Sequence, residues 1–319
     1  MKGLCILGTG SCVPRQVVTN SDMARRVDTS DEWIVSRTGI RERRFAGEGE
    51  DLTALACAAA RRAMEAAGVG PEQVGLCVMA TVTPDKLTPA QSCLVHRELG
   101  LAEDCPAFDL SAGCTGFLYA METVAALLPR MERPYALVIG GEILTRIVDM
   151  EDRNTCILFG DGAGAVVVRS ADAPWYCALH TRGDGEILWA EGPGREPPHL
   201  RMDGQGVFRF ALETVPRAAQ TLLDRAGMSA DQVDWFLPHQ ANHRIVDGIA
   251  RRLKVPLERF YENMDRYGNT SAASIPIALD EMVRGGMLRE GQWVMCLGFG
   301  AGLTWAGLLF QWGPQKEDK

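Results

Sequence analysis

The hydrophobic positions along the chain predict helices that alternate with buried strands. Residues 52–67 carry apolar side chains at the spacing of one helix face, and Gly68 supplies a C-terminal stop. A second helix is predicted over residues 208–226, ending at Gly227, with Pro216 marking a kink or a restart. Short apolar runs at residues 1–8, 75–81 and 234–238 are typical of strands buried on both faces.

Two segments of the chain repeat at a constant interval. Residues 67–74 (AGVGPEQV) and 226–233 (AGMSADQV) are 159 residues apart, and each follows a helical pattern and precedes a strand. A Gly-rich turn before an apolar strand also occurs twice, at 162–164 and 300–302. The chain is therefore predicted to be an internally duplicated α/β protein with about 160 residues in each half. We place the halves at residues 1–170 and 171–319.

Cys114 is the first candidate for chemistry. A strand-like run at 105–110 leads through the small residues around Cys114 into a helical pattern over 117–128. A cysteine at a helix N-terminus faces unpaired N–H groups and the helix dipole, which favour the thiolate and predict a lowered pKa. A buried cysteine without a chemical role is the alternative that position alone leaves open.

His239 and Asn269 are predicted to lie close to Cys114. His239 follows the strand of the second repeat, and ligands of open α/β sheets gather outside the carboxyl ends of strands. The interval of 159 maps Cys114 onto residue 273, so the loop that contains Asn269 is the counterpart of the cysteine loop. A structural histidine and a helix-capping asparagine remain open as alternatives.

Composition narrows the class of protein. A net charge of -8 disfavours a nucleic-acid partner. The sequence has no long uncharged apolar run, so we predict neither a membrane span nor a signal peptide. Ten scattered cysteines without a C-x-x-C pair indicate free thiols in a reducing, cytoplasmic environment and no metal site. One local basic group could receive an acidic partner or a phosphorylated ligand, or form a solvated helix face. It consists of Arg244, Arg251, Arg252 and Lys254.

Five motifs, in order, resemble the β-ketoacyl-acyl-carrier-protein synthase III family. They lie at residues 29–44, 113–117, 159–165, 239–242 and 268–271, so the resemblance covers essentially the whole chain. It implies the thiolase fold, with two similar halves in an αβαβα sandwich, and a homodimer. It also implies decarboxylative condensation of an acyl-CoA primer with malonyl-acyl carrier protein to a 3-oxoacyl-acyl carrier protein. This step initiates type II fatty acid synthesis and needs no cofactor beyond the coenzyme A thioester substrate.

The resemblance also assigns roles to residues. Cys114 is the implied nucleophile, His239 and Asn269 hold the malonyl thioester oxygen, and the N–H groups of Cys114 and Ala301 form an oxyanion hole. For coenzyme A, it implies stacking of adenine on Trp33 and phosphate contacts from two arginines, with further tunnel residues. The arginines are Arg37 and Arg153, and the tunnel residues are Thr29, Gly204, Phe208 and Asn242. The basic group around Arg244 becomes the implied docking surface for the acidic carrier protein.

The chain departs from short-primer relatives at the acyl-pocket gate. Some relatives carry a bulky Phe before the proline that is Pro89 here, and that side chain closes the pocket across the dimer interface. Leu87 and Thr88 stand at this place instead. The smaller gate predicts a primer longer than acetyl or branched.

Four rival functions remain open from the sequence. A thiolase could use Cys296, in a C-x-G-x-G pattern, as a second catalytic cysteine without decarboxylation. A family member of secondary metabolism could condense or transfer acyl groups for a specialised product. A cysteine hydrolase could use a Cys–His–Asn set. A Rossmann dehydrogenase is the weakest rival, because the Gly8-x-Gly10 run lacks the third glycine of the fingerprint.

Overall fold

A computed structural model describes residues 3–192, 194, 196 and 199–313 of the 319-residue chain, so Met1 and Lys2 of the first predicted strand lie outside the described residues. The strands are β1 Gly3–Cys12, β2 Gln16–Thr19, β3 Glu42–Phe45, β4 Val74–Ala80, β5 Ala107–Leu110, β6 Tyr135–Glu142, β7 Gly162–Ala171, β8 Trp175–Asp184, β9 Leu188–Trp189, β10 Arg201–Met202, β11 Trp235–Pro238, β12 Trp293–Gly300 and β13 Gly302–Gln311. The helices are α1 Asn20–Ala24, α2 Asp31–Thr38, α3 Leu52–Ala67, α4 Gln91–Leu99, α5 Gly116–Leu127, α6 Arg153–Cys156, α7 Gly204–Ala226, α8 His243–Leu253, α9 Met264–Tyr267 and α10 Ser274–Arg284.

Two sheets carry the duplication. The first has the order β1-β7-β6-β4-β5 and the second β8-β13-β12-β11. In each sheet the strands that correspond pair in the same sense: β4 with β6 and β11 with β12 are parallel, whereas β6 with β7 and β12 with β13 are antiparallel. A further parallel bridge from Phe236 to Phe260 lies where β5 pairs with β4 in the first sheet. The two halves therefore share one strand order.

Buried side chains fall into three cores that define five layers. One core joins α3 and α4 to the outer face of the first sheet, and another joins α7 and α8 to the outer face of the second. The third contains α5 and α10 between the two sheets. Side chains of β4 alternate between two cores, with Leu76 and Val78 facing α5 and Cys77 and Met79 facing α3. Burial on both faces explains the uninterrupted apolar runs of these strands.

The predicted thiolase-like αβαβα fold is confirmed, with local differences from the predicted elements. Gly162 and Gly164 lie inside β7, so the Gly-rich turn predicted for the first half is wrong. Helix α7 is continuous through Pro216, so the predicted restart is also wrong. Proline lacks an N–H, which leaves the carbonyl four residues earlier without its helical donor. The Arg252 guanidinium donates to that carbonyl, at Leu212, and so satisfies it.

The proposed boundary after residue 170 lies at the end of β7, and β8 begins at Trp175. The halves are not separate bodies in the middle layer, because α10 of the second half packs against β1 and β7 of the first.

None of the helices in the described part of the chain combines the length and apolar character needed to cross a membrane.

Candidate active site

One large cavity contains most of the residues singled out in the sequence. Its volume is about 1490 Å³, and it extends from the surface at Trp33 to the middle layer. The predicted residues on its wall are Trp33, Arg37, Cys114, Gly204, Phe208, His239, Asn242, Arg244, Asn269 and Ala301. The structure therefore brings together the cysteine, the histidine and the asparagine from three separate parts of the sequence.

Cys114 lies at the inner end of this cavity, in a 3-10 turn formed by Gly113–Thr115 that leads directly into α5. Gly113 has φ of 52°, and a Cβ added there would lie 3.3 Å from the Ala301 nitrogen. A Cβ added at Gly300 would lie 2.8 Å from the Cys114 nitrogen. Glycine at both positions lets the β12–β13 turn rest against the cysteine turn, which places the Ala301 N–H beside Cys114.

The expected low pKa of Cys114 is wrong. Burial is the largest influence, and it raises the pKa of the thiol to about 11, while the nearby Ser271 hydroxyl lowers it and the Glu142 carboxylate raises it. The dipole of α5 begins two residues after Cys114, and the half-buried thiol lies against cavity walls that exclude part of the surrounding water. Desolvation of a charged form outweighs partial charges at a helix end. Cys114 is therefore a neutral thiol at neutral pH.

His239 follows β11 and is 2% exposed. Its Nδ1 lies 2.7 Å from the Ser274 hydroxyl at the start of α10, and its ring meets Phe299 edge to face with centroids 5.4 Å apart. These two contacts fix the ring with Nε2 as its remaining polar atom. Burial lowers the pKa of His239 to about 3, because no neighbouring group compensates the lost hydration of the imidazolium.

Asn269 is held by backbone and side-chain bonds. Its N–H donates to Leu158 O at 2.8 Å, and its carbonyl accepts from Gly160 N at 3.0 Å, which forms a short parallel bridge. Its side-chain oxygen accepts from the Ser271 N–H at 2.8 Å. This bond caps the following turn, in agreement with the alternative that Asn269 is a capping residue. It also directs the amide NH₂ away from the backbone. Asn269 therefore presents a donor on the cavity wall.

Four further residues shape this site, and none of them has a role that the sequence predicts. Ser274 and Phe299 orient His239, and Ser271 contacts both Asn269 and the Cys114 thiol. Glu142, the last residue of β6, is buried beneath Ser271. A charged residue that ends the otherwise apolar run of β6 was the available signal for Glu142, because strand ends line sites in such sheets.

The outer part of the cavity carries cationic and aromatic groups. The guanidinium carbons of Arg37 and Arg153 lie 4.9 Å and 5.1 Å from the centre of the Trp33 ring. Arg153 is beside the cavity rather than on its wall, and it donates to Asp28 O. Thr29 is not on the wall either, although its hydroxyl is buried without a hydrogen-bond partner among the described residues. This cluster can receive a planar base together with anionic groups.

The four basic residues around α8 have different contacts. Arg244 lies at the cavity mouth with its guanidinium 5.8 Å from the Phe208 ring. Arg251 pairs with Asp247 at 2.8 Å, and Arg252 holds the carbonyl freed by Pro216. Lys254 caps α8 in a left-handed conformation and is exposed. Arg244 and Lys254 are therefore the members of this set with neither an ion pair nor a side-chain hydrogen bond among the described residues.

Leu87 and Thr88 do not line this cavity. Both are exposed, and Leu87, at 81%, is the most exposed large hydrophobic side chain among the described residues. They precede α4, whose first N–H groups, at Gln91 and Ser92, donate to Asp109 of β5. The segment is thus attached to the edge strand of the first sheet.

Cys296 does not belong to the site. It is 2% exposed on β12, where it packs in the middle core, and burial raises its thiol pKa to about 12. It is absent from the described wall of the cavity. The thiolase alternative, which needs Cys296 beside Cys114, is therefore wrong.

Comparison with known proteins identifies what the chain is similar to. Family models for 3-oxoacyl-[acyl-carrier-protein] synthase III match residues 108–185, and models for its C-terminal part match residues 223–312. A β-ketoacyl-[acyl-carrier-protein] synthase III of Rhizorhabdus wittichii is 45% identical over 98% of this chain and 100% of its own length. The 3-oxoacyl-[acyl-carrier-protein] synthase III of Aquifex aeolicus superposes with a TM-score of 0.93 at 41% identity, covering 97% of this chain and all of that one. The priming β-ketosynthase of the R1128 polyketide pathway gives 0.91 at 38%, covering 99% and 98%.

The buried His239 predicts a specific pH dependence of stability. Its lowered pKa means that the unfolded chain takes up a proton below pH ~6.5 that the folded protein refuses, so stability is lost as pH falls toward 3. We expect His239→Gln to remove about 1.4 kcal/mol of this loss per pH unit between pH ~6 and ~4. Urea unfolding of both proteins across this range measures the difference. Replacing the half-exposed His199 by Gln should leave the wild-type slope, and an equal effect of both changes would contradict the assignment.

Proposed function

Because the chain belongs to the 3-oxoacyl-[acyl-carrier-protein] synthase III family, we propose that Cys114, His239 and Asn269 carry out its condensation reaction. The enzyme is an acyltransferase that condenses an acyl-CoA with malonyl-acyl carrier protein and so initiates fatty acid synthesis. The observation that carries the residue assignment is the convergence of these three side chains on one cavity wall. No cofactor beyond the thioester substrate enters the proposed chemistry.

In the first half-reaction, the Cys114 sulfur attacks the thioester carbonyl of the acyl-CoA. Negative charge then develops on the carbonyl oxygen, and the backbone N–H groups of Cys114 and Ala301 are proposed to receive it. The close contact between the β12–β13 turn and the cysteine turn supports this pair, because it holds the two N–H groups near each other. Donors fixed before the reaction stabilise such a charge without reorganisation.

In the second half-reaction, decarboxylation of the malonyl group places enolate charge on its thioester oxygen. We assign Nε2–H of His239 and the amide NH₂ of Asn269 as the donors to that oxygen. The Ser274 hydroxyl donates to Nδ1 in this assignment, which leaves the proton on Nε2. A pKa of about 3 keeps His239 neutral throughout, so it stabilises charge as a donor and does not act as an acid.

The outer cavity is proposed to bind the coenzyme A moiety. Arg37 and Arg153 both cover the Trp33 ring, and adenine can replace a guanidinium on that ring. The displaced guanidinium would remain close enough to pair with phosphate oxygens. Gly204, Phe208 and Asn242 lie on the wall between this mouth and Cys114, which supports their assignment to the pantetheine tunnel. Thr29 adds an unpartnered hydroxyl beside the mouth.

A homodimer is proposed from the edge of the first sheet. β5 is the edge strand, and all four of its residues are half-buried rather than covered. Val82, on the cavity wall, and Leu87 are exposed large hydrophobic side chains near this edge. Pairing of β5 with its copy would cover the edge and bring Leu87 toward the partner's acyl pocket. A free strand edge with apolar neighbours favours such pairing.

Acylation of Cys114 tests the proposed nucleophile. After incubation with acyl-CoA, intact-protein mass spectrometry should show one acyl adduct on the wild type and none on Cys114→Ala. Cys296→Ala is the matched control, because it removes a buried thiol in the same core; it should retain the adduct and most of the condensation rate. Loss of condensation by ~100-fold in Cys296→Ala would contradict our assignment. Release of free acid without malonate would instead support the hydrolase alternative.

Primer choice tests the gate. We expect wild-type condensation rates with acyl-CoAs of about four to six carbons, or branched chains, to equal or exceed those with acetyl-CoA, because Leu87 leaves more space than Phe. Leu87→Phe should lower the rates with long primers about tenfold or more and spare acetyl-CoA. Light scattering controls for loss of the dimer. Wild-type rates that collapse beyond acetyl-CoA would contradict the gate.

Charge reversal tests carrier-protein docking. Lys254→Glu places an acidic group on the exposed end of α8, so we expect KM for malonyl-acyl carrier protein to rise about tenfold, less at high salt. Arg251→Glu is the matched control, because the Arg251 side chain already pairs with Asp247. We expect Arg251→Glu to raise this KM less than Lys254→Glu does. Equal KM values for wild type and Lys254→Glu at low salt would remove Lys254 from the docking surface.

A further inference from the structure

The buried carboxyl group of Glu142 lies close to the Cys114 thiol and has no role in the proposed condensation reaction. Glu142 ends β6 and is fully buried. Its described hydrogen-bond partners are hydroxyl and backbone N–H groups, and no cation pairs with it among the described residues. Burial raises the pKa of Glu142 to about 7 against the lowering effect of those bonds. A carboxyl group with such a pKa can accept and release a proton near neutral pH.

The two carboxylate oxygens of Glu142 have different neighbours. Oε2 accepts from the Thr83 hydroxyl at 2.6 Å, the Thr81 hydroxyl at 3.1 Å and the Thr83 N–H at 3.1 Å. Oε1 accepts from the Ser271 hydroxyl at 3.3 Å, and the Val82 N–H is shared between Oε1 at 3.2 Å and Oε2 at 3.1 Å. The 81–83 segment thus anchors the carboxylate, and Oε1 points to Ser271. The Ser271 hydroxyl, which donates to this oxygen, is also close enough to the Cys114 thiol to lower its pKa.

The Ser271 hydroxyl has a single proton to donate. When Glu142 is ionised, that proton points to Oε1, and the serine oxygen can accept the S–H of Cys114. When Glu142 is protonated, it donates to the serine oxygen, and the hydroxyl can donate to a Cys114 thiolate. The two arrangements differ by a shift of two protons along one line of groups. Backbone φ of 50° at Ser271 and its N–H bond to Asn269 hold the hydroxyl in this position.

Cys114 needs a base at this point of the reaction. Its thiol is neutral at neutral pH, so the S–H bond must break as the new carbon–sulfur bond forms. His239 is a poor acceptor, because burial lowers its pKa to about 3 and Ser274 engages its Nδ1. A base whose pKa lies near the working pH is the most effective. Glu142 meets this condition and lies one hydroxyl away.

We propose that Glu142, acting through the Ser271 hydroxyl, accepts the proton of Cys114 during acylation. The proposal rests on the proposed function of Cys114. As the sulfur adds to the thioester carbonyl, its proton passes to Ser271 Oγ, the serine proton passes to Glu142 Oε1, and the carbonyl electrons move to the oxyanion. When the intermediate collapses, the bond to the coenzyme A sulfur breaks. The departing thiolate takes the proton back by the same path, which restores the carboxylate. Glu142 is thus a positioning and proton-accepting residue that does not touch the substrate.

Other titratable groups near β6 have other partners. They are Cys57 on α3, Cys77 on β4, Glu122 on α5, Asp161 before β7 and Asp280 on α10. The two thiols interact chiefly with charged or thiol groups outside β6. The three carboxyl groups hydrogen bond to Trp175, to Thr145 and to Thr9, respectively. The negative charge of Glu142, by contrast, raises the pKa of Cys114.

The pH profile of acylation tests the proposal. Single-turnover release of coenzyme A should rise with pH in the wild type and level off above pH ~7, as Glu142 becomes ionised. Glu142→Gln, which keeps the shape but cannot accept the proton, should slow acylation about 100-fold at neutral pH and lose this inflection. Ser271→Ala should have the same effect, and the double variant should be no slower than either single one. Glu142→Asp, which retains a carboxyl group, should keep an inflection and recover part of the rate.

A purely structural role would give a different result. Malonyl decarboxylation by the same proteins does not need the Cys114 proton, so Glu142→Gln should reduce it by less than about threefold. Equal losses in acylation and decarboxylation, or an unchanged inflection in Glu142→Gln, would overturn the proposal. Should Glu142→Gln fail to fold, the same comparison in Glu142→Asp and Ser271→Ala decides between the two roles. If the wild type forms no acyl adduct, the proposed function of Cys114 is refuted. That result is measured first, so it is distinguished from a failure of the Glu142 proposal.

Discussion

The site depends on the close contact of two short turns with the strands beneath them in the middle layer. The turn Gly113–Thr115 precedes α5, and its counterpart Ser271–Ala273 precedes α10. A Cβ added at Gly140 of β6 would lie 2.2 Å from the Ala272 carbonyl, and one at Gly300 would lie 2.8 Å from the Cys114 nitrogen. Such distances allow no side chain. Glycine on the strands therefore lets both turns approach until Cys114 and Asn269 lie on one cavity wall, with Glu142 behind Ser271.

This contact explains how far the sequence predicts the structure. The repeat, the helix-ending Gly68 and Gly227 and the apolar stripe of α3 predict the duplicated fold, because each is local or recurs at a fixed interval. The interval also placed the Asn269 loop opposite Cys114. The 3-10 geometry of the two turns was not predictable from periodicity, since it comes from packing of the middle layer. Likewise, Pro216 suggested a break, whereas Arg252 from another helix supplies a donor to the freed carbonyl.

The pKa of Cys114 shows why local reasoning fails at such a site. A helix start favours a thiolate, and the sequence shows the helix start. It does not show the walls of the cavity, which come from several segments far apart in the chain and raise the pKa of the thiol to about 11. The contact of Glu142 with the site was not predictable for the same reason. Its place at a strand end is visible in the sequence, but its contact with Ser271 crosses 129 residues.

The same desolvation suits the chemistry of both half-reactions. Burial raises the pKa of the Cys114 thiol and lowers that of His239, so both groups are neutral at neutral pH. Charge therefore appears near them only during the reaction, on the acyl oxyanion and then on the enolate, where fixed donors in a medium of low polarity interact most strongly. Glu142 is the exception, because the Thr81 and Thr83 hydroxyl groups donate to its carboxylate and favour the charged form against burial. In the mechanism that we propose, the ionisable Glu142 carboxyl group then supplies the base that the neutral Cys114 thiol needs when the thioester binds.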